Sequence, residues 1–196
     1  MEWLDFCKTF IPQISAKYTR RMNRPLNLEH PRTFTEKMQW LKIYDSTFLK
    51  TFCTDKITVH RYCKARLGHD MFIPILHTHN TPDEIDFDAL PDGVVFKCNH
   101  GSGYNIICKP GTHIDRNSIK QKLGNWLSQD FSIKNGYELH YLPIPHKILI
   151  EPYMNDGHAD LIDYKFYCIS GTPIFCQVIS DRNSHETISH YNTNWT

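Results

Sequence analysis

The chain carries no surplus of charge of either sign: 22 Lys+Arg stand against 21 Asp+Glu, a net charge of +1. Nucleic-acid binders are usually strongly basic, so no nucleic-acid partner is expected. No apolar run approaches the roughly 20 residues of a membrane-spanning helix. The start, Met1-Glu2-Trp3-Leu4-Asp5, has acids where a signal peptide needs bases. Seven cysteines are present, but no CxxC pair and no zinc-ligand spacing. Also missing are GxxxxGK[ST], the three-glycine dinucleotide fingerprint, HExxH, an EF-hand loop and the GxSxG elbow. The expected compartment is cytoplasmic. At most, the basic cluster Lys17, Arg20, Arg21 and Arg24 makes peripheral contact with anionic lipid; it reads first as a solvated face.

What is present fits a globular chain: 40% hydrophobic, 22% charged, 196 residues, one domain or two small lobes. Aromatics at 13% imply a well-filled core or a sugar-facing surface. Cys98, Cys108, Cys168 and Cys176 sit in apolar, strand-like runs and are expected to be buried reduced thiols, as in a reducing cytosol.

The hydropathy pattern predicts a helix over 2–22 and an extended link between Pro25 and Pro31. Thr33-Phe34-Thr35-Glu36 reads as a capping box opening a helix through Tyr44. A second helix is predicted from Thr54 to Leu67, with Gly68 as its cap. A strand is predicted over 72–76 and a surface connection over 81–92. Strands follow over 94–98 and 105–109. Asp115 caps a helix with the apolar stripe Ile119, Leu123, Trp126 and Leu127. A strand over 147–154 precedes a hairpin of 161–169 and 173–180 around Gly171. The tail, 183–196, is polar and shows no closing element. The order implies an α+β fold with antiparallel sheets and helices.

Three stretches carry candidate chemistry. In the first, Lys97 stands inside an apolar strand, which is costly unless an anion or a carboxylate neutralises it. Gly101, Ser102 and Gly103 then form a mobile turn whose N–H groups can approach phosphate oxygens. A β-turn after an exposed strand lysine accounts for the same residues. In the second, Leu149, Glu151 and Tyr153 share one strand face. The strand irregularity at Pro152 frees backbone groups, through Met154, to read an adenine edge; an edge strand ending at proline is the plainer reading. In the third, Asp163, Lys165 and Tyr167 share a face, either pairing among themselves or presenting a second phosphate-contacting lysine. Arg182 closes the next strand, a candidate for orienting substrate or phosphate. His77 and His79 alternate on a strand but lack an evident third metal ligand.

Together these stretches resemble the TupA-like ATP-grasp family, named for teichuronopeptide biosynthesis. The resemblance runs from Leu26 to Arg182. It rests on 27–37 (NLEHPRTFTEK), 39–42 (QWLK), 54–56 (TDK), 96–103 (FKCNHGSG), 163–166 (DYKF) and 177–182 (QVISDR). It implies an ATP-grasp fold, two α+β lobes clamping ATP, with Mg²⁺ as the accompanying metal. Lys97 resembles the strand lysine on the nucleotide phosphates, and Gly101-Ser102-Gly103 the loop over them. Residues 151–154, with Glu151, Tyr153 and Met154, match the inter-lobe strand that holds adenine. Lys165 resembles the basic residue facing the nucleotide from the second lobe. The implied activity is ATP-dependent joining of a carboxylate to an amine through an acyl phosphate, in cell-surface polysaccharide or glycopeptide assembly. The partners would be ATP and a carboxylate- or amine-bearing small molecule or saccharide.

The implied division is a helical region over 1–70, a nucleotide-binding lobe over 71–154 and the start of a second lobe over 155–196. Nothing after Arg182 matches the acidic strand that carries the family's metal ligands, so the second lobe is expected to be incomplete and the metal ligands are unassigned. Two other readings stay open. A glycosyltransferase would need a DxD-type acid pair, whose spacing Asp86-Phe87-Asp88 has. A catalytically impaired nucleotide-binding fragment would need no metal ligands at all.

Overall fold

The computed structural model describes residues 2–155, 157, 161–182 and 184–196. The apolar pattern over 2–22 forms two helices rather than one, α1 (Trp3–Lys8) and α2 (Ile11–Met22). Pro12 lies in the first turn of α2, where its missing N–H costs nothing. A continuous helix would drive its ring into the carbonyl of Lys8. Asn23 ends α2 in the left-handed region at φ 53°, its N–H bonded to Thr19 O at 2.8 Å.

The capping box opens α3 (Phe34–Tyr44) as the sequence predicts. Thr33 N–H donates to Glu36 Oε2 at 2.9 Å, and Glu36 N–H donates to Thr33 Oγ1 at 3.4 Å. The helix expected from Thr54 forms as α5 (Thr58–Leu67), and a helix that was not expected, α4 (Phe48–Thr54), precedes it. Asp55 interrupts them, because its carboxylate accepts from Ile57 N–H at 2.9 Å and so offers a turn in place of a helical bond. Gly68 caps α5 at φ 78°, as expected.

The expected strand over 72–76 does not form, since Pro74 has no N–H for a ladder. Leu76 N–H alone reaches Ile150 O, at 2.8 Å, and the strand proper is β1 (His77–His79). The 81–92 connection is not wholly at the surface: it contains a 3₁₀ turn at Pro82–Glu84 and buries Ile85 and Phe87. Next come β2 (Val94–Cys98), β3 (Asn105–Cys108), α6 (Arg116–Leu127), α7 (Phe131–Lys134) and β4 (Ile148–Pro152). The four strands form one antiparallel sheet in the order β1-β4-β2-β3.

Alternation along β2 buries Val94, Phe96 and Cys98 with Ile148 and Ile150 against Ile119 and Leu123 of α6. A second cluster, Cys7, Ile14, Ile43 and Leu139, holds the N-terminal helices together. These elements make one compact unit, Met1–Tyr153.

The other unit, Met154–Thr196, is a three-stranded antiparallel sheet of β5 (Asp163–Ile169), β6 (Thr172–Ser180) and β7 (Thr187–Asn192). Ser170 and Gly171 turn the β5–β6 hairpin with φ 49° and 81°, the left-handed pair that matches strand twist. The polar tail does contain a closing strand, contrary to expectation. In β7, Ser189, His190 and Asn192 hide the strand from hydropathy, yet its backbone pairs with β6 throughout. Trp195 folds back onto Tyr164, Phe166 and Tyr191. Cys168 is exposed rather than buried, beside the register shift between Tyr167 and Cys168. Cys98, Cys108 and Cys176 are buried free thiols. No helix of the described residues is long and apolar enough to cross a membrane.

Candidate functional site

Register decides which side chains meet. In the β2–β4 ladder Val95 pairs with Glu151 and Lys97 with Leu149, so Lys97 and Glu151 are diagonal neighbours on one face. This is the face opposite Phe96. The two side chains form an ion pair, with Lys97 24% and Glu151 7% exposed. The strand lysine thus finds a carboxylate within its own sheet.

The pair stands in a cleft of about 200 Å³, walled by Lys56, Val59, His60, Phe72 and Ile73. His60 and Phe72 stack at 4.5 Å and 22°. Lys56 reaches into the loop after β2 and donates to Cys98 O at 3.0 Å and to Gly101 O. Burial, and then the Lys97 charge, hold its pKa below the ordinary lysine value. Burial pushes the Cys98 thiol up to about 12, so it is not a nucleophile.

The loop itself is anchored at its root. Asn99 is buried, and its amide donates to Asp55 Oδ1 at 2.9 Å and Pro145 O at 3.0 Å. Its carbonyl accepts from Lys147 N–H at 2.7 Å. His100 is fully buried, bonds Trp126 O through Nε2 at 3.1 Å and stacks on His146 at 3.6 Å. Burial and then the neighbouring His146 push its pKa down to about 4.

Gly101 is packed, not mobile: a Cβ there would lie 2.7 Å from the Tyr104 ring and 2.8 Å from the Phe131 ring. The exposed tip is Ser102 with Gly103, the latter at φ 75°. Among the described residues, no hydrogen bond uses the N–H of Ser102 or Gly103. The expectation of a wholly free glycine flap therefore shrinks to these two residues.

The other expected residues make the following contacts within their own units. Tyr153 N–H is taken by Gly93 O at 3.0 Å, so that backbone donor is not free. Met154 is exposed and belongs to the second unit, as do Lys165 and Arg182. Lys165 pairs in register with Gln177, which contacts His190 at 3.0 Å. Arg182 forms an exposed ion pair with Asp163. Asp88 is engaged by Arg116, and Asp86 Oδ1 accepts from Asp88 N–H at 3.1 Å. His79 lies 3.9 Å from Glu84, but no metal-ligating group of three gathers among the described residues.

Asn99 is saturated and supports the loop. Lys56 holds two carbonyls of the loop and also lines the cleft. The Thr54-Asp55-Lys56 stretch was its sequence signal.

Searches of the curated proteins and of the solved structures find no match to this chain. A family model described as TupA-like ATPgrasp matches residues 36–196, which takes in Lys56, Lys97, the loop, Glu151 and both sheets. With that match over most of its length, the chain belongs to the TupA-like ATP-grasp family.

Proposed function

We propose that the protein is an ATP-dependent carboxylate–amine ligase of the cytoplasm, acting in cell-surface polysaccharide or glycopeptide assembly. The observation that carries this reading is Lys97, set beside Glu151 in a cleft next to a second lysine, Lys56. Two ammonium groups at one strand end suit a polyphosphate, and the ion pair with Glu151 holds Lys97 in place when no phosphate is there. The Ser102 and Gly103 N–H groups add neutral donors that suit further phosphate oxygens. The His60–Phe72 stack offers a flat apolar wall for a base.

The cleft is smaller than the roughly 300–1,000 Å³ of a drug-sized site. It suits part of a nucleotide, and the donor set fits that part. Lys165 enters the reading through its strand position and the family resemblance, and Arg182 through its place at the end of the next strand. The described residues gather no set of metal ligands, so Mg²⁺ is given no ligand here. ATP supplies the phosphoryl group that converts a carboxylate to an acyl phosphate. An amine then displaces phosphate at the acyl carbon, forming the amide. The role of Lys97 and Lys56 is electrostatic: fixed positive charge where negative charge is bound and transferred.

Hydroxylamine trapping tests this directly. With ATP and a panel of uronic and amino acids, one hydroxamate should form per ADP released, and Lys97→Gln should abolish both. ADP release without hydroxamate, or binding of a sugar nucleotide in preference to ATP, would contradict the ligase reading.

A further inference from the structure

A larger concavity lies away from the Lys97 cleft, between α2, α3 and residues 136–138. Its volume is about 440 Å³. Three cations line it, Lys17, Arg21 and Lys42, against one acid, Glu138. Among the described residues none of the three cations forms a salt bridge.

Lys42 is half-buried and spends its ammonium on neutral acceptors, Gly136 O at 2.8 Å and Gln39 Oε1 at 3.1 Å. Burial, together with the Lys17 and Arg21 charges and against the pull of Glu138, holds its pKa below the ordinary lysine value. The backbone is bent to build this wall: Gly136 and Tyr137 are both left-handed, at φ 112° and 66°. That conformation is uncommon for a bulky residue. A side chain on Gly136 would come 3.5 Å from Lys17 Nζ and 3.7 Å from Lys42 Nζ, so both ammonium groups converge on one point. Lys17 also lies over the Tyr137 ring at 5.9 Å.

The helix dipole accounts for a cation in the last turn of α2, where Arg21 sits. It accounts in the same way for Lys42, in the last turn of α3, but not for Lys17. Lys17 and Arg21 are exposed and Lys42 is half-buried, so desolvation falls on Lys42, and three like charges around one concavity repel each other unless an anion completes it.

We propose that this pocket binds a phosphate monoester of a molecule about the size of a monosaccharide. Three cations and one acid suit a dianion, which a phosphate monoester is above its second pKa of about 6. Arg21 can engage two phosphate oxygens at once. The volume far exceeds a bare anion and lies within the usual range for small-molecule sites. Tyr18, Thr35 and Met38 line the remainder, a mix of hydroxyl and apolar surface that suits a sugar ring. A concave wall suits a soluble ligand better than a flat membrane surface. Lys17 and Arg21 precede the family match, which begins at residue 36. The inference therefore stands apart from the reading of Lys97.

Calorimetry on the full chain tests it, with glucose 1-phosphate, inorganic phosphate and glucose as probes. Glucose 1-phosphate should bind, inorganic phosphate at least 5-fold more weakly, and glucose not at all. The double variant Lys17→Gln, Arg21→Gln should lower affinity at least 10-fold. Arg20→Gln, an exposed neighbour outside the pocket, should leave it unchanged, as should Lys97→Gln. The proposal is overturned if glucose 1-phosphate does not bind, or if the double variant binds it equally well. It is also overturned if inorganic phosphate binds as tightly, or if phosphatidylserine vesicles are the only ligand. Loss of sugar-phosphate binding in Lys97→Gln would likewise place the ligand in the other cleft.

Discussion

The two sheets handle charge in opposite ways. On the first, Lys97 and Glu151 neutralise each other in a partly closed cleft, and Asp55, Asn99 and His100 are buried at the strand end. On the second, Asp163 pairs with Arg182 in the open, while Lys165 and the Gln177–His190 contact lie on an exposed face. A buried polar group that loses its partner carries the full cost of desolvation, whereas an exposed one has water as an alternative partner. Substitutions on the first sheet therefore change folding along with any ligand contact. Those at exposed positions of the second cost little folding energy.

The sharpest contrast should come from the aromatic strand residues. Phe96→Ala should cost about 3–5 kcal/mol in urea unfolding, because Phe96 is fully buried among Ile119, Leu123 and Ile150. Phe166→Ala, at a half-exposed position, should cost under about 1 kcal/mol. Equal costs would erase the distinction between the sheets.

The loop root comes next. Asn99→Ala strands the Pro145 carbonyl, the Lys147 N–H and one acceptor of Asp55, so it should cost about 2–3 kcal/mol. Gln177→Ala should stay within about 1 kcal/mol. If Asn99→Ala folds as stably as wild type, the loop is not anchored as described.

A pH series sharpens the same point. Folding lowers the His100 pKa to about 4 from the usual 6.5. Between those values the unfolded chain binds the extra proton, so stability rises with pH there. This contribution is complete above about pH 6.5 and is lost as pH falls toward 4, on the order of 2–3 kcal/mol. His100→Gln should flatten that part of the profile. An unchanged slope in the variant would assign the acid sensitivity to other groups.

Much of the first sheet was legible beforehand, because its signals are local. An apolar run interrupted by one lysine marked β2, and the run before Pro110-Gly111 marked β3, while Thr33 and Glu36 announced α3, and Asp115 announced α6 with its buried Ile119 and Leu123. What failed were decisions made by single side chains or by partners distant in sequence. Asp55 delays the start of α5 by capturing the Ile57 N–H, and Pro74 lacks the N–H that the strand expected over 72–76 would need. Strand β7 has too little hydropathy to announce itself and forms because β6 offers a free edge.

At the site, the apolar run around Lys97 and the alternation around Glu151 put each in its strand. That they touch is a matter of register, which the sequence of either strand leaves open. Gly101 shows the same limit: its role is set by the Tyr104 and Phe131 rings, one of them 30 residues away in the chain.

The central claim is that Lys97 holds nucleotide phosphates, with Glu151 as its resting partner. Equilibrium binding of ATP, measured by calorimetry well below the melting temperature of each variant, tests it most directly. Wild type should bind ATP, Lys97→Gln should lose at least 10-fold in affinity, and Lys97→Arg should recover part of it. Affinity equal in wild type and Lys97→Gln, with both variants folded, would contradict the account.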